Sequence, residues 1–274
     1  YSNTTASNNT AVGSNALLAN TTASNNVAIG CGALCANTTG EVNTAVGTAS
    51  MVTNTTGFGN TAVGKNSLYT NNGNNNTAVG HEALELNTSG ASNVAVGRQA
   101  LEKNTTGQQN TAVGVNTMQC NTTGQYNSAF GFQAMNRITD SEGNTGIGYQ
   151  SLYTNTTGDA NTAVGRDALV SNTTASNNTA VGKDSLKANT TGAVNTAIGS
   201  QALFSNTTGC CNVAIGGDNM YNNTTGIRNV SVGKNTLEAN TTGNCNTSVG
   251  FSTMAANTTG TENVGVGSSS LDAN

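Results

Sequence analysis

Apolar and polar residues return along this chain in a fixed order. A five-residue phrase of Asn, Thr/Val/Ser, a small residue, Val/Ile/Phe and Gly recurs sixteen times, from Asn9, Asn26, Asn43 and Asn60 to Asn263, at a step of 17 residues broken once. A unit this short has too little apolar surface to offset the entropy of ordering it, so each copy must bury its hydrophobic residues against the next. It is also too short for two ordinary helices, and Asn, Thr, Val and Gly are poor helix formers. The pattern therefore predicts an all-β fold, a parallel β-solenoid (β-roll) of about sixteen 17-residue coils, forming one repeat domain over residues 1–274.

With the Asn of each copy as position 1, positions 1 to 5 are expected to form one strand and positions 7 to 11 a second. Gly at position 5 and the Asn-Thr-Thr-Gly segment at positions 12 to 15 make the corners. The large apolar residues at positions 4 and 9 are the predicted core: Val12, Leu17, Ile29, Leu34, Val46, Met51, Val63, Leu68, Phe130 and Met135. Gly13, Gly30, Gly47, Gly64 and Gly80 are predicted bend glycines, needing positive φ or a contact with no room for Cβ. Position 15 also accepts Ala6, Ala23, Ser141 and Ala175, so no left-handed conformation is required there. If positions 2 and 4 face inward, period-two alternation turns position 3 outward. Ala11, Ala28, Ala45, Ala62, Ala78 and Ala95 are then the candidate subunit contact, because a thin roll with two large core residues per coil needs a second buried surface.

Asn at positions 1 and 12 and Thr at position 13 are expected to stack into side-chain ladders along the axis. Two irregularities stand out. Asn71-Asn72-Gly73 replaces the usual four-residue corner, which should leave a local irregularity only. Ile138 and Asp140 interrupt the Asn and Thr columns, and residues 138–143 are expected to bulge or re-route the corner.

Charge supports this map. Every Asp, Glu, Lys and Arg except Asp140 falls at position 6, 7, 10, 11, 16 or 17, the expected outward positions. The net charge of −4 is too small to hold a chain open, and the apolar register argues against the disorder that 4% aromatic and 8% charged residues would otherwise suggest. The chain has no proline, as fits a rod in which most N–H groups pair with a neighbouring coil. The nine basic residues are scattered, against a nucleic-acid footprint, and no stretch has the length of a membrane span.

Candidate chemistry is sparse. His81 is the lone histidine, on an outward position between Lys65 and Arg98, with Glu82 and Glu85 near in sequence; it is read as a solvated surface residue. Among Cys31, Cys35, Cys120, Cys210, Cys211 and Cys245, no two share a position in adjacent coils, so most should be free within a chain; Cys31 with Cys35, or Cys210 and Cys211 across a subunit interface, are the pairings worth testing. Asn37, Asn54, Asn104 and Asn155 open Asn-Thr-Thr acceptor sequences, but glycans on coils ~4.8 Å apart would collide. No regular acid supports structural Ca²⁺ inside the coils. Aromatics at position 10 (Tyr1, Tyr69, Tyr153, Phe204, Tyr221) and position 6 (Phe132, Tyr149, Phe251) face outward, as incidental surface, subunit contacts or sugar-stacking platforms. No catalytic, metal-binding or cofactor-binding residue is assigned, no cofactor is expected, and the chain is read as not an enzyme.

The string Asn-Thr-Ala-Val-Gly-x-x-Ala-Leu-x-x-Asn-Thr-Thr-Gly resembles, over essentially the whole chain, the head repeats of trimeric autotransporter adhesins, with their Asn-Ser-x-Ala-Ile-Gly core. It resembles more closely the longer repeats of phage-type tail-fibre proteins. The unit is longer than the usual adhesin head repeat, and neither membrane anchor, coiled-coil stalk nor maturation domain accompanies it here. The resemblance implies a left-handed β-roll and three chains side by side. The expected function is a structural segment of an extracellular fibre, an adhesin head or shaft or a viral tail fibre, on a cell or virion surface. Its partners would be itself, as a trimer or filament, and a surface glycan or host receptor, with no nucleic acid and no membrane insertion by this segment. The fibre is expected to continue beyond both ends. An ice-binding β-solenoid is the alternative; against it, the paired threonines, such as Thr21 and Thr22, lie in a predicted corner rather than on a flat strand.

Overall fold

The structure is a computed structural model and describes residues 3–272. It is a parallel β-solenoid whose regular elements are sixteen three-residue strands, one per coil, with no helix among the described residues. The chain divides into two compact units, Tyr1–Ser141 and Glu142–Asn274. The first carries β1 (Thr10–Val12), β2 (Val27–Ile29), β3 (Thr44–Val46), β4 (Thr61–Val63), β5 (Thr77–Val79), β6 (Val94–Val96), β7 (Thr111–Val113) and β8 (Ser128–Phe130). The second carries β9 (Thr145–Ile147), β10 (Thr162–Val164), β11 (Thr179–Val181), β12 (Thr196–Ile198), β13 (Val213–Ile215), β14 (Val230–Val232), β15 (Thr247–Val249) and β16 (Val264–Val266). Within each unit consecutive strands pair in parallel and in register, as Thr44↔Thr61 and Thr162↔Thr179 illustrate.

Each strand covers positions 2 to 4, and its inward residue is position 3. Ala28, Ala45, Ala62, Ala78 and Ala95 are all 0% exposed, so they cannot be the outward subunit contact the sequence suggested. Ala11 is exposed, yet it lines the same end cavity as Ala16 and Leu17, so it too points inward. Val12, Ile29, Val63 and Phe130 are exposed and Val46 half-buried, which removes them from the core. Leu17, Leu34, Met51, Leu68 and Met135 are buried as expected. The reason is space. A 17-residue coil holds one large side chain, supplied by position 9, and the residue opposite it is only Ala, Ser or Gly. At Gly265 an added Cβ would lie 2.8 Å from Met254 Cε and 2.9 Å from Thr253 Cγ2.

The expected second strand does not form either. Positions 7 and 9 adopt positive φ, as in Ala49 (55°) and Met51 (51°), so positions 7 to 11 run as successive turns. This conformation, uncommon for residues other than glycine, turns the adjacent positions 8 and 9 both inward, as Ala33 and Leu34, which an extended strand forbids. Hydrogen bonds still connect neighbouring coils there, as Leu34 N–H to the Ser50 carbonyl (3.0 Å) and Ala49 N–H to the Cys31 carbonyl (2.9 Å). Position 5 is Gly for both anticipated reasons: at Gly47 φ is 139°, and a Cβ would fall 2.4 Å from the Gly64 carbonyl oxygen.

The buried asparagines form the predicted ladders. In the position 12 column, Asn37 Nδ2 donates to Asn20 Oδ1 (3.0 Å) and to the Gly40 carbonyl (2.9 Å). In the position 1 column, Asn26 Oδ1 accepts the Asn43 N–H (2.9 Å), while Asn26 Nδ2 donates to the same Gly40 carbonyl (2.9 Å). Most of the buried asparagine side chains are thus paired, which keeps a core poor in large apolar residues free of most desolvation costs. Thr at position 13 differs from expectation: in the regular coils its hydroxyl donates to a backbone carbonyl of the next coil, as Thr38 Oγ1 to Thr55 O (3.0 Å), not to another side chain.

Both irregularities are absorbed. Ordinarily three N–H groups of a corner converge on one carbonyl, as Thr38, Thr39 and Gly40 do on Thr55 O (3.0, 3.1 and 3.3 Å). In the short coil the Asn72 side chain replaces that carbonyl, its Oδ1 accepting from Thr55 N (2.9 Å), Thr55 Oγ1 (2.8 Å) and Thr56 N (3.3 Å). Asn72→Ala should therefore cost about 1–2 kcal/mol, moderated by solvent at this exposed corner. The Thr55 and Thr56 amides should exchange at least tenfold faster in hydrogen-exchange measurements; unchanged exchange would contradict the substitution of side chain for peptide. Ile138 does not re-route its corner. It is fully buried in the asparagine column, and Thr122, Thr123 and Gly124 donate to Thr139 O as in regular coils. Its effect is chemical: Asn121 Oδ1, buried beside it, has no hydrogen-bond partner.

Candidate functional site

Since position 3 faces inward, positions 2 and 4 form the outward face of every strand. Position 2 is Thr, Val or Ser and position 4 is Val, Ile or Phe, and no charged residue occurs at positions 1 to 5 of any copy. Within each unit, in-register pairing lines these residues up as two columns, roughly 6.6 Å apart along the strand and ~4.8 Å from coil to coil. Val63, Val79, Phe130, Ile147, Ile198 and Val249 are all more than a third exposed on this face. An uncharged, regular, partly apolar sheet surface of this kind marks contact with another surface more than isolated exposed residues do.

The charged positions lie on the turns beyond it. Three basic residues at position 6 lie beside carboxylates at position 7: His81 Nδ1 beside Glu82 Oε2 (3.4 Å), Arg166 Nε beside Asp167 Oδ2 (3.0 Å) and Lys183 Nζ beside Asp184 Oδ2 (3.5 Å). Asp184 Oδ1 also accepts from Lys187 Nζ (2.9 Å). Burial pushes the Asp184 carboxyl up, but the hydrogen bond and charge of Lys187, with Lys183, bring it below its ordinary value. Arg166 is held above its usual range by the hydrogen bond and charge of Asp167. His81 is exposed as expected, and the side chain of Glu82, its neighbour in sequence, turns toward it.

Glu82, Glu85 and Glu102 each bring a carboxylate oxygen within 4.8 Å of the others. Burial, then the charges of Glu82 and Glu102, raise the Glu85 pKa, against a hydrogen bond from Asn66 (3.4 Å) and the proximity of His81. Gln99 Nε2 donates to Glu82 Oε2 (2.9 Å) and Gln119 Nε2 to Glu102 Oε2 (2.5 Å). Three oxygens are chemically suited to a hard cation but fall short of the six to eight that Ca²⁺ takes, and a side-chain amide already donates to each of the three carboxylates.

All six cysteines are free thiols, exposed or half-buried. The Cys210 thiol is pushed up in pKa by its hydrogen bond to Cys211 and by burial, which lowers its reactivity as a thiolate. Asn37, Asn54, Asn104 and Asn155 are buried with Nδ2 engaged in hydrogen bonds, so the atom a glycan would modify is inaccessible in the fold. Phe204 and Tyr221 stack on each other at 4.8 Å and 2°, with Lys187 Nζ 5.6 Å from the Phe204 centroid; their mutually covered faces make poor sugar platforms. Phe132, Tyr149 and Phe251 are exposed, and Tyr1 lies outside the described residues. Sequence reading missed the outward strand face and the position 6 and 7 pairs. Adjacent Arg166-Asp167 and Lys183-Asp184 were the available signal for the latter. No family model and no curated protein sequence matches the chain.

Proposed function

We propose that this chain is a structural segment of an extracellular fibre in which copies pack side by side through the outward strand face, most simply as a trimer about an axis parallel to the direction in which the coils stack. The carrying observation is that face: an uncharged column of Val, Ile and Phe left exposed on a protein whose interior holds one large side chain per coil. Covering an exposed aliphatic side chain contributes on the order of 1 kcal/mol, and repetition along the stack makes the sum large. The resemblance to adhesin head and tail-fibre repeats supports the same reading, with a cell or virion surface as its location and no enzymatic role. Light scattering on the purified chain should give an oligomer, and Val63→Asp with Val79→Asp should weaken it without unfolding the coils. A monodisperse monomer of the unmutated chain overturns the proposal.

One observation favours ice binding as a second reading. The outward columns, such as Thr44 with Val46 and Thr61 with Val63, form the regular uncharged strand array that the corner threonines do not provide. An ice-recrystallisation assay separates the two: inhibition by a monomer supports ice binding, and its absence with an assembled fibre supports the first.

A further inference from the structure

The charges of the second unit are not evenly spread. On coils that follow β9, β10 and β11, the turns carry Tyr149, Arg166, Asp167, Lys183, Asp184 and Lys187 on neighbouring positions. The carboxylates lie beneath and the cations outside: Asp167 and Asp184 side chains are 11% and 6% exposed, Arg166 and Lys183 side chains 60% and 57%. Each carboxylate is tied to its cation, so the guanidinium and ammonium groups are held pointing outward. Three cations stand over two acids, giving a locally positive row on a chain whose net charge is −4. Beside it, Tyr149 and Arg166 line a cleft of about 470 Å³. Tyr149 is nearly half exposed.

The geometry points to a binding site for an anionic polysaccharide, with Tyr149 stacking against a sugar ring and Arg166 and Lys183 engaging its carboxylate or sulfate groups. Arg presents a planar fork matched to such oxyanions, and Lys a point charge one coil further along. Successive coils lie ~4.8 Å apart, so the row from Tyr149 to Lys183 spans about two sugar residues along the axis. Because the cations are anchored by Asp167 and Asp184, little side-chain freedom is lost when a chain docks. Elsewhere on position 6, Lys65 and Lys234 have neither a carboxylate at the following position nor an aromatic residue one coil before them, and serve as internal controls. This site does not depend on the fibre reading, since its residues lie on the turns and not on the strand face.

Affinity electrophoresis of the full chain through polygalacturonate, dextran sulfate and neutral dextran tests it. Retardation by the first identifies carboxylate recognition, by the second sulfate recognition, and neutral dextran should have no effect. Arg166→Ala combined with Lys183→Ala should weaken binding at least tenfold and Tyr149→Ala severalfold, while Lys65→Ala combined with Lys234→Ala should leave it unchanged. Thermal melting and light scattering on the same samples check that fold and assembly are intact, which separates failure here from failure of the fibre reading. No retardation of the native chain, or equal weakening by the control pair, overturns the inference.

Discussion

Gly47→Ala should destabilise its unit by about 4 kcal/mol, near the upper end of single-substitution effects. Two costs add. The residue sits at φ 139°, a conformation that carries a penalty of about 1–3 kcal/mol for residues with a side chain. The new methyl group would also lie 2.4 Å from Gly64 O and 2.6 Å from Gly64 C, and both are backbone atoms that cannot swing away. Gly32→Ala is the informative comparison: its φ of 70° is matched by Ala49 in the same column at 55°, and the nearest atom to its added Cβ is Val52 Cγ2 at 3.8 Å. It should cost about 1 kcal/mol or less. Urea unfolding followed by circular dichroism measures both, and a Gly47→Ala cost below that of Gly32→Ala would refute the steric account.

Asn104→Ala should cost about 3 kcal/mol, from buried groups left without partners and not from lost apolar area. Asn104 Nδ2 serves Asn87 Oδ1 (2.7 Å) and Gly107 O (3.1 Å), and Asn104 Oδ1 accepts from Asn121 Nδ2 (2.7 Å). After truncation Asn87 Oδ1 loses the donor it has, whereas Gly107 O keeps Asn93 Nδ2 (2.8 Å). The converse change is already available in the chain. Ile138→Asn should supply the donor that Asn121 Oδ1 lacks and raise stability by about 1 kcal/mol. If chemical denaturation finds Asn104→Ala neutral, or Ile138→Asn destabilising, packing and not amide pairing governs this column.

The stack, its step and its bend glycines were legible because they depend on spacing and on the one residue type that tolerates φ near 139° with no room for Cβ. The phase of the strand was not. Val46 and Ala45 compete for the interior, and hydrophobicity favours Val46, yet the narrow coil admits only Ala45 once Met51 has filled it. Nothing in the sequence announces that Leu34 and Met51 occupy left-handed conformations, since ordinary propensity places neither there. That single misreading carried the candidate interface to the wrong face. The Arg166 and Lys183 row shows the opposite case. Its residues were visible as adjacent cation and acid, but which charge was covered and which exposed depends on the turn geometry.

The corner at positions 13 to 15 acts as a length buffer. Because three N–H groups there seek one acceptor, any oxygen delivered to that spot closes the coil, whether it comes from a peptide or from Asn72. A residue gained or lost at the corner is then cancelled before the chain reaches the next strand, and Thr61 and Thr77 remain in register across a step one residue short. Strands and asparagine columns offer no such tolerance, for a shift of one residue there would reverse every inward and outward side chain. Variation in repeat length among chains of this pattern should accordingly collect at this corner, with a short amide or hydroxyl side chain beside each deletion.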